Sequence, residues 1–253
     1  MYIKVIHSKD KTSIANEWDI ISPLRNELIE SGKDISFNKI LVPCIISSLK
    51  NCNLEWVVDC GCGTGKLTSI IANRAKKVDG IDISKKSIEI AYNNNIENEN
   101  VNLYNMSIED YAEDKQENIT LCIANMVFMN VVDLNKVLNT INKILKKDGI
   151  LIFTITHPCY WSLYWNYANK SWFDYSKEII MECQFSTTLS KNLGISTLVH
   201  RPLTYYINSL ISSGFQILDI QEPYPENIIE NDNYKFLYPR FLYVKCKKIN
   251  SNS

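Results

Sequence analysis

The sequence predicts an α/β fold: a seven-stranded, mostly parallel sheet with helices on both faces and an antiparallel last strand. From residue 54 to 156, short apolar runs alternate with amphipathic stretches, as in a parallel sheet that helices cover on both sides. After residue 200, a helix, a strand and a polar loop lead into one more apolar run, a layout that brings the last strand in antiparallel. The 253 residues, 45% of them hydrophobic, suffice for one large domain with a sizeable core.

Seven runs have the length and composition of strands, and four segments have helical spacing. The predicted strands are 55–59, 78–81, 101–104, 119–124, 150–155, 215–220 and 241–247, and the predicted helices are 66–74, 85–94, 134–145 and 203–213. The third helix is the clearest, because its apolar residues recur at the 3–4 spacing of one buried face. Asp133 is placed to cap its start, and Gly149 follows its end.

Two regions lack this alternation. Residues 1–45 are polar and mixed, and we expect one helix there at 20–28, which Pro23 starts or bends. Residues 157–200 show no regular pattern and are crowded with aromatic side chains. We therefore predict one domain made of an N-terminal cap (1–45), a cofactor-binding core (46–156), an aromatic-rich lid insertion (157–200) and a C-terminal helix and strand pair (201–253), with a disordered tail from residue 250.

Composition narrows the class of function. The formal net charge of -1 disfavours nucleic acid as a partner, because phosphate backbones reward a strongly basic face. The eight cysteines and three histidines include no CxxC pair and no clustered ligands, so no metal site is expected. The N-terminus lacks the apolar core of a signal peptide, and no run approaches the roughly 18 apolar residues of a membrane span. We expect a cytoplasmic protein without a membrane partner.

The most informative stretch is the glycine-rich turn after the first strand, VVDCGCGTGK at 57–66. Glycines let the backbone turn tightly and approach a ligand, and free N–H groups at the following helix start point into the same space. A P-loop would need glycine at position 60 and a hydroxyl at 67, where Cys60 and Leu67 stand. A dinucleotide-binding fingerprint that starts at Gly61 would need its third glycine at Lys66. The spacing therefore fits neither phosphate-binding motif.

An acidic residue ends the second predicted strand. Asp82 follows Gly61 by 21 residues, and Ser84 is placed to cap the next helix. A carboxylate at that position can accept hydrogen bonds from both hydroxyls of a ribose. The turn and this acid together indicate a nucleoside-containing ligand.

The pattern of two hydrophobic residues, Asp59, and glycines at 61, 63 and 65 resembles the first motif of class I S-adenosylmethionine-dependent methyltransferases. The resemblance is close over 54–156 and implies a Rossmann-like fold, S-adenosylmethionine as cofactor and S-adenosylhomocysteine as product. It also implies a cofactor-binding set: Asp59, Gly61, Cys62, Gly63, Gly65, Asp82 and Ile83, with Ser107 and Ile108 around the adenine and Asn125 and Met126 under the methionine part. Met106 and Thr120 depart from it, because family members usually carry acids there.

The expected acceptor is a small molecule methylated at oxygen or nitrogen, and a hydroxyl or an ammonium acceptor needs a base to remove its proton. His157 is the first candidate, because it follows the fifth predicted strand at the edge where ligands bind in parallel sheets, and Pro158 holds its backbone extended. His200, at the end of the insertion, is the second candidate.

The insertion holds eight aromatic residues within sixteen positions: Tyr160, Trp161, Tyr164, Trp165, Tyr167, Trp172, Phe173 and Tyr175. We expect part of it to be a short helix, and we hypothesise that the rings form a lid over an apolar acceptor pocket. A self-packed cap without ligand contact explains them equally well. Trp18 resembles aromatic residues that fold over the cofactor in related enzymes, with core packing as its alternative role.

Other interpretations stay open. The chain could be a non-catalytic S-adenosylmethionine-binding sensor or partner subunit, or a nucleotide-dependent oxidoreductase on a similar sheet. A nucleic-acid methyltransferase of the amino type is disfavoured, because 125–128 lacks the two prolines expected after the fourth strand. Metal-using O-methyltransferases carry carboxylates where Asn125 and His157 stand, so no metal is expected. The oligomeric state is not predicted.

Overall fold

Ten strands and eight α-helices form within the residues that the computed structural model describes, which are 2–115, 117–187, 189–190, 192–224 and 236–249. The strands are β1 Ile3–Ile6, β2 Val57–Cys60, β3 Val78–Asp82, β4 Val101–Asn105, β5 Ile119–Asn125, β6 Leu145–Thr156, β7 Ile179–Phe185, β8 Gly194–His200, β9 Phe215–Gln221 and β10 Phe241–Lys248. The helices are α1 Lys11–Glu30, α2 Val42–Ser48, α3 Lys66–Ala72, α4 Lys85–Asn94, α5 Ile108–Tyr111, α6 Leu134–Ile144, α7 Trp161–Tyr164 and α8 Leu203–Ser212. A π-helical turn at Ser36–Leu41 precedes α2, and a 3-10 turn at Phe128–Asn130 follows β5.

The main sheet has the strand order β4-β3-β2-β5-β6-β10-β9. The five strands from β2 to β6 pair in parallel, and β10 runs antiparallel to both β6 and β9. This arrangement confirms the predicted seven-stranded, mostly parallel sheet with an antiparallel last strand. The chain crosses from one side of β2 to the other between β4 and β5, so a crevice opens beyond the carboxyl ends of β2 and β5, where ligands bind in open α/β sheets.

The core lies on both faces of this sheet. In β5, Cys122 packs with the apolar stripe of α6 on one face, while Leu121 packs with α2 and α3 on the other. The stripe on α6 consists of Leu134, Val137, Leu138, Ile141 and Ile144. Each of these two strand residues is fully buried, which holds the carboxyl end of β5 rigidly beside that of β2.

Most predicted core elements lie within two residues of the observed ones, and β6 is the exception. It begins at Leu145, directly after α6, whereas the sequence predicts a strand only from residue 150. Asp148 has a φ of 58°, and the register with β5 shifts between Ile119 and Leu121. Gly149, which was expected between the helix and the strand, thus lies inside the longer strand β6, beside this irregularity.

Residues 157–200, whose sequence shows no regular pattern, contain two strands that were not predicted. Besides the expected short helix, α7, the segment contains β7 and β8, which pair antiparallel, and β1 adds to the outer edge of β7. This three-stranded sheet joins the N-terminus to a hairpin far along the chain, so no local pattern reveals it. The insertion and the N-terminal cap are therefore one structural unit.

The helix predicted at 20–28 is also too short, because α1 spans Lys11–Glu30. Asp10 caps its start by accepting a hydrogen bond from the backbone N–H of Ser13 at 2.9 Å, and Pro23 lies inside the helix. Packing against α4 and β8 supports this length, which overrides the local cost of the proline.

A buried carboxylate fastens the cap to the insertion. Glu17 of α1 accepts hydrogen bonds from the backbone N–H of Thr197 at 2.7 Å and from its hydroxyl at 3.1 Å. Lys9 bridges Glu17, at 2.9 Å, and Glu182 of β7, at 2.7 Å. These contacts seat the three-stranded sheet and α1 over the crevice of the main sheet.

Three further features bear on redox, membrane and metal functions. All eight cysteines are free thiols. Within the described ranges, no helix combines the length and apolar character needed to cross a membrane. In that same part of the chain, His, Cys, Asp and Glu side chains form no group of three that could hold a metal ion. The predicted tail from residue 250 lies outside the described residues.

Candidate functional site

A cavity of about 230 Å³, called the first cavity, opens at the carboxyl ends of β2 to β5. Eight of the predicted cofactor residues line it: Gly61, Gly63, Asp82, Ile83, Ser107, Ile108, Asn125 and Met126. Asp59 and Cys62 line a smaller adjoining space of about 40 Å³ that shares Gly61 and Gly63 with it. Gly65 lines neither. The structure therefore brings ten of the eleven predicted residues around one continuous region.

The glycine turn has a different requirement at each of its three glycines. All three have positive φ, at 71° for Gly61, 54° for Gly63 and 73° for Gly65, where an L side chain is strained. A Cβ on Gly61 would lie 2.4 Å from Cγ2 of Val127, and one on Gly65 would lie 2.6 Å from Nδ2 of Asn95. A Cβ on Gly63 would meet no atom within 4 Å. Gly65 thus serves the packing of the turn against α4, Gly61 allows Val127 to approach closely, and Gly63 faces open space at the cavity.

Asp82 fastens the turn and faces the first cavity. Its Oδ2 accepts the N–H of Gly63 at 2.9 Å, and its Oδ1 accepts the N–H of Ser84 at 2.8 Å. Burial raises the pKa of Asp82, although these two hydrogen bonds act in the opposite direction. Each carboxylate oxygen accepts one bond from the backbone and has capacity for a second, which suits a ligand with two neighbouring hydroxyls.

Asp59 lies beneath the turn at the end of β2 and is 1% exposed. The hydroxyl of Thr68 donates a hydrogen bond to its Oδ2 at 2.6 Å. Burial raises the pKa of Asp59 to about 7, the Thr68 hydrogen bond lowers it, and the nearby charge of Asp82 adds to the rise. A cation bound beside Asp59 would favour its ionised form, so this carboxyl is suited to a positively charged ligand group.

Met126, which directly follows β5 and lines the first cavity, has a strained backbone. Met126 has a φ of 60°, and its N–H donates to the backbone oxygen of Thr154 at 2.9 Å. The Thr154 hydroxyl donates to Oδ1 of Asn125 at 2.7 Å. Left-handed backbone in a non-glycine residue persists only where its surroundings impose it, and it concentrates at functional sites.

A larger cavity of about 580 Å³, called the second cavity, lies between the main sheet and the insertion. Trp18, Arg25, Met126 and Asn130 line both cavities. A ligand in the first cavity and a ligand in the second would therefore meet at Met126 and Asn130.

The ligand of the first cavity follows from these contacts and from the family. Glycines that leave room for a ligand, a carboxylate at the end of β3 and a buried carboxyl suited to a cation are arranged on a sheet of this strand order. The chain matches the family described as a methyltransferase domain over residues 52–196. The chain belongs to the class I S-adenosylmethionine-dependent methyltransferases.

Three comparisons show which proteins the chain is similar to. An uncharacterized protein of Haemophilus influenzae is 26% identical over 234 residues, which are 85% of this chain and 90% of that protein. A malonyl-[acyl-carrier protein] O-methyltransferase of Acetivibrio thermocellus is 34% identical over 114 residues, which are 44% of this chain and 39% of that enzyme. The structure of an S-adenosylmethionine-dependent methyltransferase from Mesorhizobium loti superposes with a TM-score of 0.62 at 19% identity, covering 81% of this chain and 96% of that one.

The residues present fit S-adenosylmethionine as the cofactor of the methyltransferase. The carboxylate of Asp82 has the free acceptor capacity that a ribose diol needs. A Cβ at Gly61 would collide with Val127, which lines the first cavity. Asp59 is suited to the cationic end of the cofactor. The enzyme is a methyltransferase of the EC 2.1.1 type. This assignment takes the place of the two alternative interpretations of the sequence, an oxidoreductase and a non-catalytic sensor.

The aromatic insertion of the methyltransferase divides into two groups. Trp161, Tyr164 and Trp165 line the second cavity. Tyr167 instead packs against Trp172 and Phe173, at ring-centroid distances of 5.7 and 5.1 Å. Some aromatic residues of the segment therefore line a cavity while others pack against one another, and the role of the first group as a lid over an acceptor stays a prediction.

The geometry does not favour either histidine as a base. Nε2 of His157 lies 2.9 Å from the carboxylate of Glu222, and its Nδ1 accepts the N–H of Cys159 at 3.2 Å. His200 is 5% exposed, and its Nε2 lies 3.1 Å from the backbone oxygen of Tyr175. Neither histidine is among the residues that line the first or second cavity. Burial lowers the pKa of both, and the role of either as a base stays a prediction.

Sequence reasoning missed most of the contribution of the N-terminal cap to the first cavity. Lys9, Lys11, Trp18 and Arg25 line it, and of these the sequence pattern pointed only to Trp18. Lys11 donates a hydrogen bond to the hydroxyl of Ser107 at 3.2 Å. The capping pattern at residues 10–13 is a local signal for the helix start, and it would extend the predicted α1 to include Lys11.

Proposed function

We propose that the enzyme methylates nitrogen or oxygen of a small molecule bound in the second cavity. The observation that carries this proposal is the wall that the two cavities share, formed by Trp18, Arg25, Met126 and Asn130. A space of about 580 Å³ lies within the size range of small-molecule sites and is lined largely by apolar and aromatic side chains. The name of the A. thermocellus relative, an O-methyltransferase, supports oxygen as one acceptor atom.

When bound, S-adenosylmethionine supplies a methyl group on a sulfonium, which is already a good electrophile. The chain has to hold and align the two ligands. Asp82 and the N–H groups of the glycine turn hold the nucleoside end, and Asp59 faces the charged end. Met126 and Asn130 lie between the two cavities, so the acceptor atom must pass them to reach the methyl group.

The wall that the two cavities share offers no general base among its described residues. None of the residues described as lining both cavities is a carboxylic acid or a histidine. Asp34 lines the second cavity, but its Oδ2 pairs with Nε of Arg25 at 3.5 Å. Alignment of the reactants and exclusion of water by Trp18, Trp161 and Trp165 therefore contribute to catalysis at this wall. An uncharged amine acceptor needs no base there, whereas the proton of a hydroxyl acceptor would have to pass to a carboxylate of the first cavity, which Glu109 and Asp133 line.

The test is to fill the second cavity without touching the first. Gln184 lies on β7 and lines only the second cavity, so Gln184→Trp should leave binding of S-adenosylhomocysteine within about twofold. Transfer of labelled methyl from S-adenosylmethionine into the ultrafiltrate of a deproteinised cell extract should fall at least about tenfold. The matched control is Gln216→Trp on the exposed face of β9, which should change neither quantity. Label that appears only in acid-precipitable macromolecules would contradict the proposal.

A further inference from the structure

Residues that line the second cavity carry buried polar atoms that have no hydrogen-bond partner within the described part of the protein. Among the described residues, six buried side-chain nitrogen or oxygen atoms make no hydrogen bond, and four of them belong to residues that line this cavity. Arg25 Nε has an ion-pair partner, Asp34, at 3.5 Å, which leaves Asn130 Oδ1, Trp161 Nε1 and Arg240 Nε. Buried polar groups in proteins are nearly always satisfied, because each unsatisfied group costs free energy. Such a concentration at one cavity indicates a ligand that satisfies them.

The charge of the cavity is unbalanced. Its described lining has two cationic side chains, Arg25 and Arg240, and one anionic side chain, Asp34. The Arg25–Asp34 pair compensates one charge, and no described carboxylate pairs with Arg240. Among these described residues one positive charge is left over, which a ligand with a single negative charge would balance.

Arg240 is held in place by aromatic rings. Its guanidinium carbon lies 4.6 Å from the ring centroid of Tyr164 and 4.1 Å from that of Phe236. The hydroxyl of Tyr164 accepts the N–H of Tyr238 at 2.9 Å and donates to the backbone oxygen of the same residue. A guanidinium fixed between two rings is arranged in advance to bind an anion.

Asn130 sets a second requirement at the wall between the cavities. Its Nδ2 donates to the backbone oxygen of Thr197, and because a carbonyl oxygen only accepts, this bond fixes the orientation of the amide. Oδ1 is consequently the unpaired atom, and it can only accept. The group of the ligand that lies at this wall must therefore carry an N–H or O–H.

We infer that the acceptor is an aromatic carboxylic acid with an amino or hydroxyl group, its carboxylate bound by Arg240 and Trp161 and its N–H or O–H by Asn130. This inference rests on the proposed function. Arg240 and Trp161 line the second cavity and not the first, whereas Asn130 lines both. The carboxylate is therefore placed away from the cofactor and the nucleophile beside it. The indole rings of Trp161 and Trp165, with centroids 5.4 Å apart, offer flat surfaces for the ring between the two groups.

The experiment compares acids with their neutral amides. The enzyme saturated with S-adenosylhomocysteine is titrated with 4-aminobenzoate and 4-aminobenzamide, and with 4-hydroxybenzoate and 4-hydroxybenzamide, by calorimetry and by quenching of tryptophan fluorescence. Each acid should bind about tenfold to a hundredfold more tightly than its amide, the value of one charge-assisted hydrogen bond. Equal affinities, or no binding by any of the four compounds, would overturn the inference.

Variants separate the charge from the packing. Arg240→Met keeps the apolar stem and should remove the preference for the acids, and Trp161→Phe keeps a ring and should weaken the acids about threefold to tenfold while changing the amides less. Arg74→Met, at an exposed position after α3, is the matched control and should keep the preference. An unchanged preference in Arg240→Met would refute the assignment of the carboxylate. Failure of the proposed function gives a different result, since labelled methyl would then reach macromolecules and no small molecule.

Discussion

The glycine turn offers a quantitative test, because its first two glycines differ in what an added Cβ would meet. Gly61 and Gly63 both have positive φ, at 71° and 54°. A Cβ would lie 2.4 Å from Cγ2 and 3.1 Å from Cγ1 of Val127 at the first position, and would meet no atom within 4 Å at the second. Alanine at Gly63 therefore incurs the backbone cost alone, and alanine at Gly61 incurs the backbone cost and a steric clash.

The magnitudes follow from these two contributions. A non-glycine residue in the left-handed region costs about 1–2 kcal/mol, which is the expected loss in the free energy of unfolding for Gly63→Ala. Overpacking of a filled site adds about 1–3 kcal/mol, so Gly61→Ala should lose about 2–5 kcal/mol. Val127 is β-branched, and both of its γ-carbons are too close for a rotation to relieve the contact. Val127→Ala in the Gly61→Ala background should return about the steric part.

Urea denaturation of the ligand-free protein measures these differences. Gly32 also has positive φ, at 74°, a Cβ there would meet no atom within 4 Å, and the residue lies outside both cavities. Gly32→Ala should therefore match Gly63→Ala in stability and leave the affinity for S-adenosylhomocysteine unchanged. If Gly61→Ala were no more destabilising than Gly63→Ala, or if Val127→Ala gave no recovery, the close approach to Val127 would not be the reason for glycine at this position.

Three further predictions concern single side chains. Asp82→Asn should weaken binding of S-adenosylhomocysteine about tenfold to a hundredfold in calorimetry, and the exposed control Asp114→Asn should not. Burial raises the pKa of Asp59 to about 7, whereas an aspartate in the unfolded chain has a pKa of about 3.9. The contribution of Asp59 to the free energy of unfolding should therefore fall as the pH rises between those two values. Because cationic S-adenosylmethionine favours the ionised form, its affinity should rise as the pH approaches and passes 7, with proton release that Asp59→Asn abolishes; pH-independent binding would contradict this. His157→Gln should lower the free energy of unfolding by about 1–2 kcal/mol and change the turnover rate by less than about threefold. The exposed control His7→Gln should leave the turnover rate equally unaffected. A loss of turnover by orders of magnitude in His157→Gln would instead support His157 as the base.

The cofactor half of the site was predictable because its signals are local. A turn that needs positive φ calls for glycine within a few residues, and Asp82 ends a five-residue strand at a fixed distance from that turn. The stripe on α6 likewise repeats within eleven residues. Each of these constraints acts between neighbours in the chain, so residue type and spacing are enough to reveal it.

The cap and the insertion could not be predicted in this way. β1 pairs with β7 in the register Ile3 to Cys183, and Glu17 bonds to Thr197 across 180 positions. Pro23 inside α1 contradicts local helix propensity, and tertiary contacts decide its conformation instead. The aromatic residues of 160–175 likewise divide into cavity lining and core only in three dimensions.

Nine of the 22 described residues that line the second cavity lie outside the part of the chain that matches the family. The family match covers residues 52–196, yet Trp18, Arg25 and Phe37 precede that range, and Arg240 and Phe241 follow it, although all five line the second cavity. A relative that aligns only with the matched range therefore covers the glycine turn and Asp82 but lacks the counterparts of Arg25 and Arg240, the two cationic residues of the second cavity. If the acceptor binds there as proposed, relatives of this kind identify the methyl donor of this enzyme without identifying its acceptor.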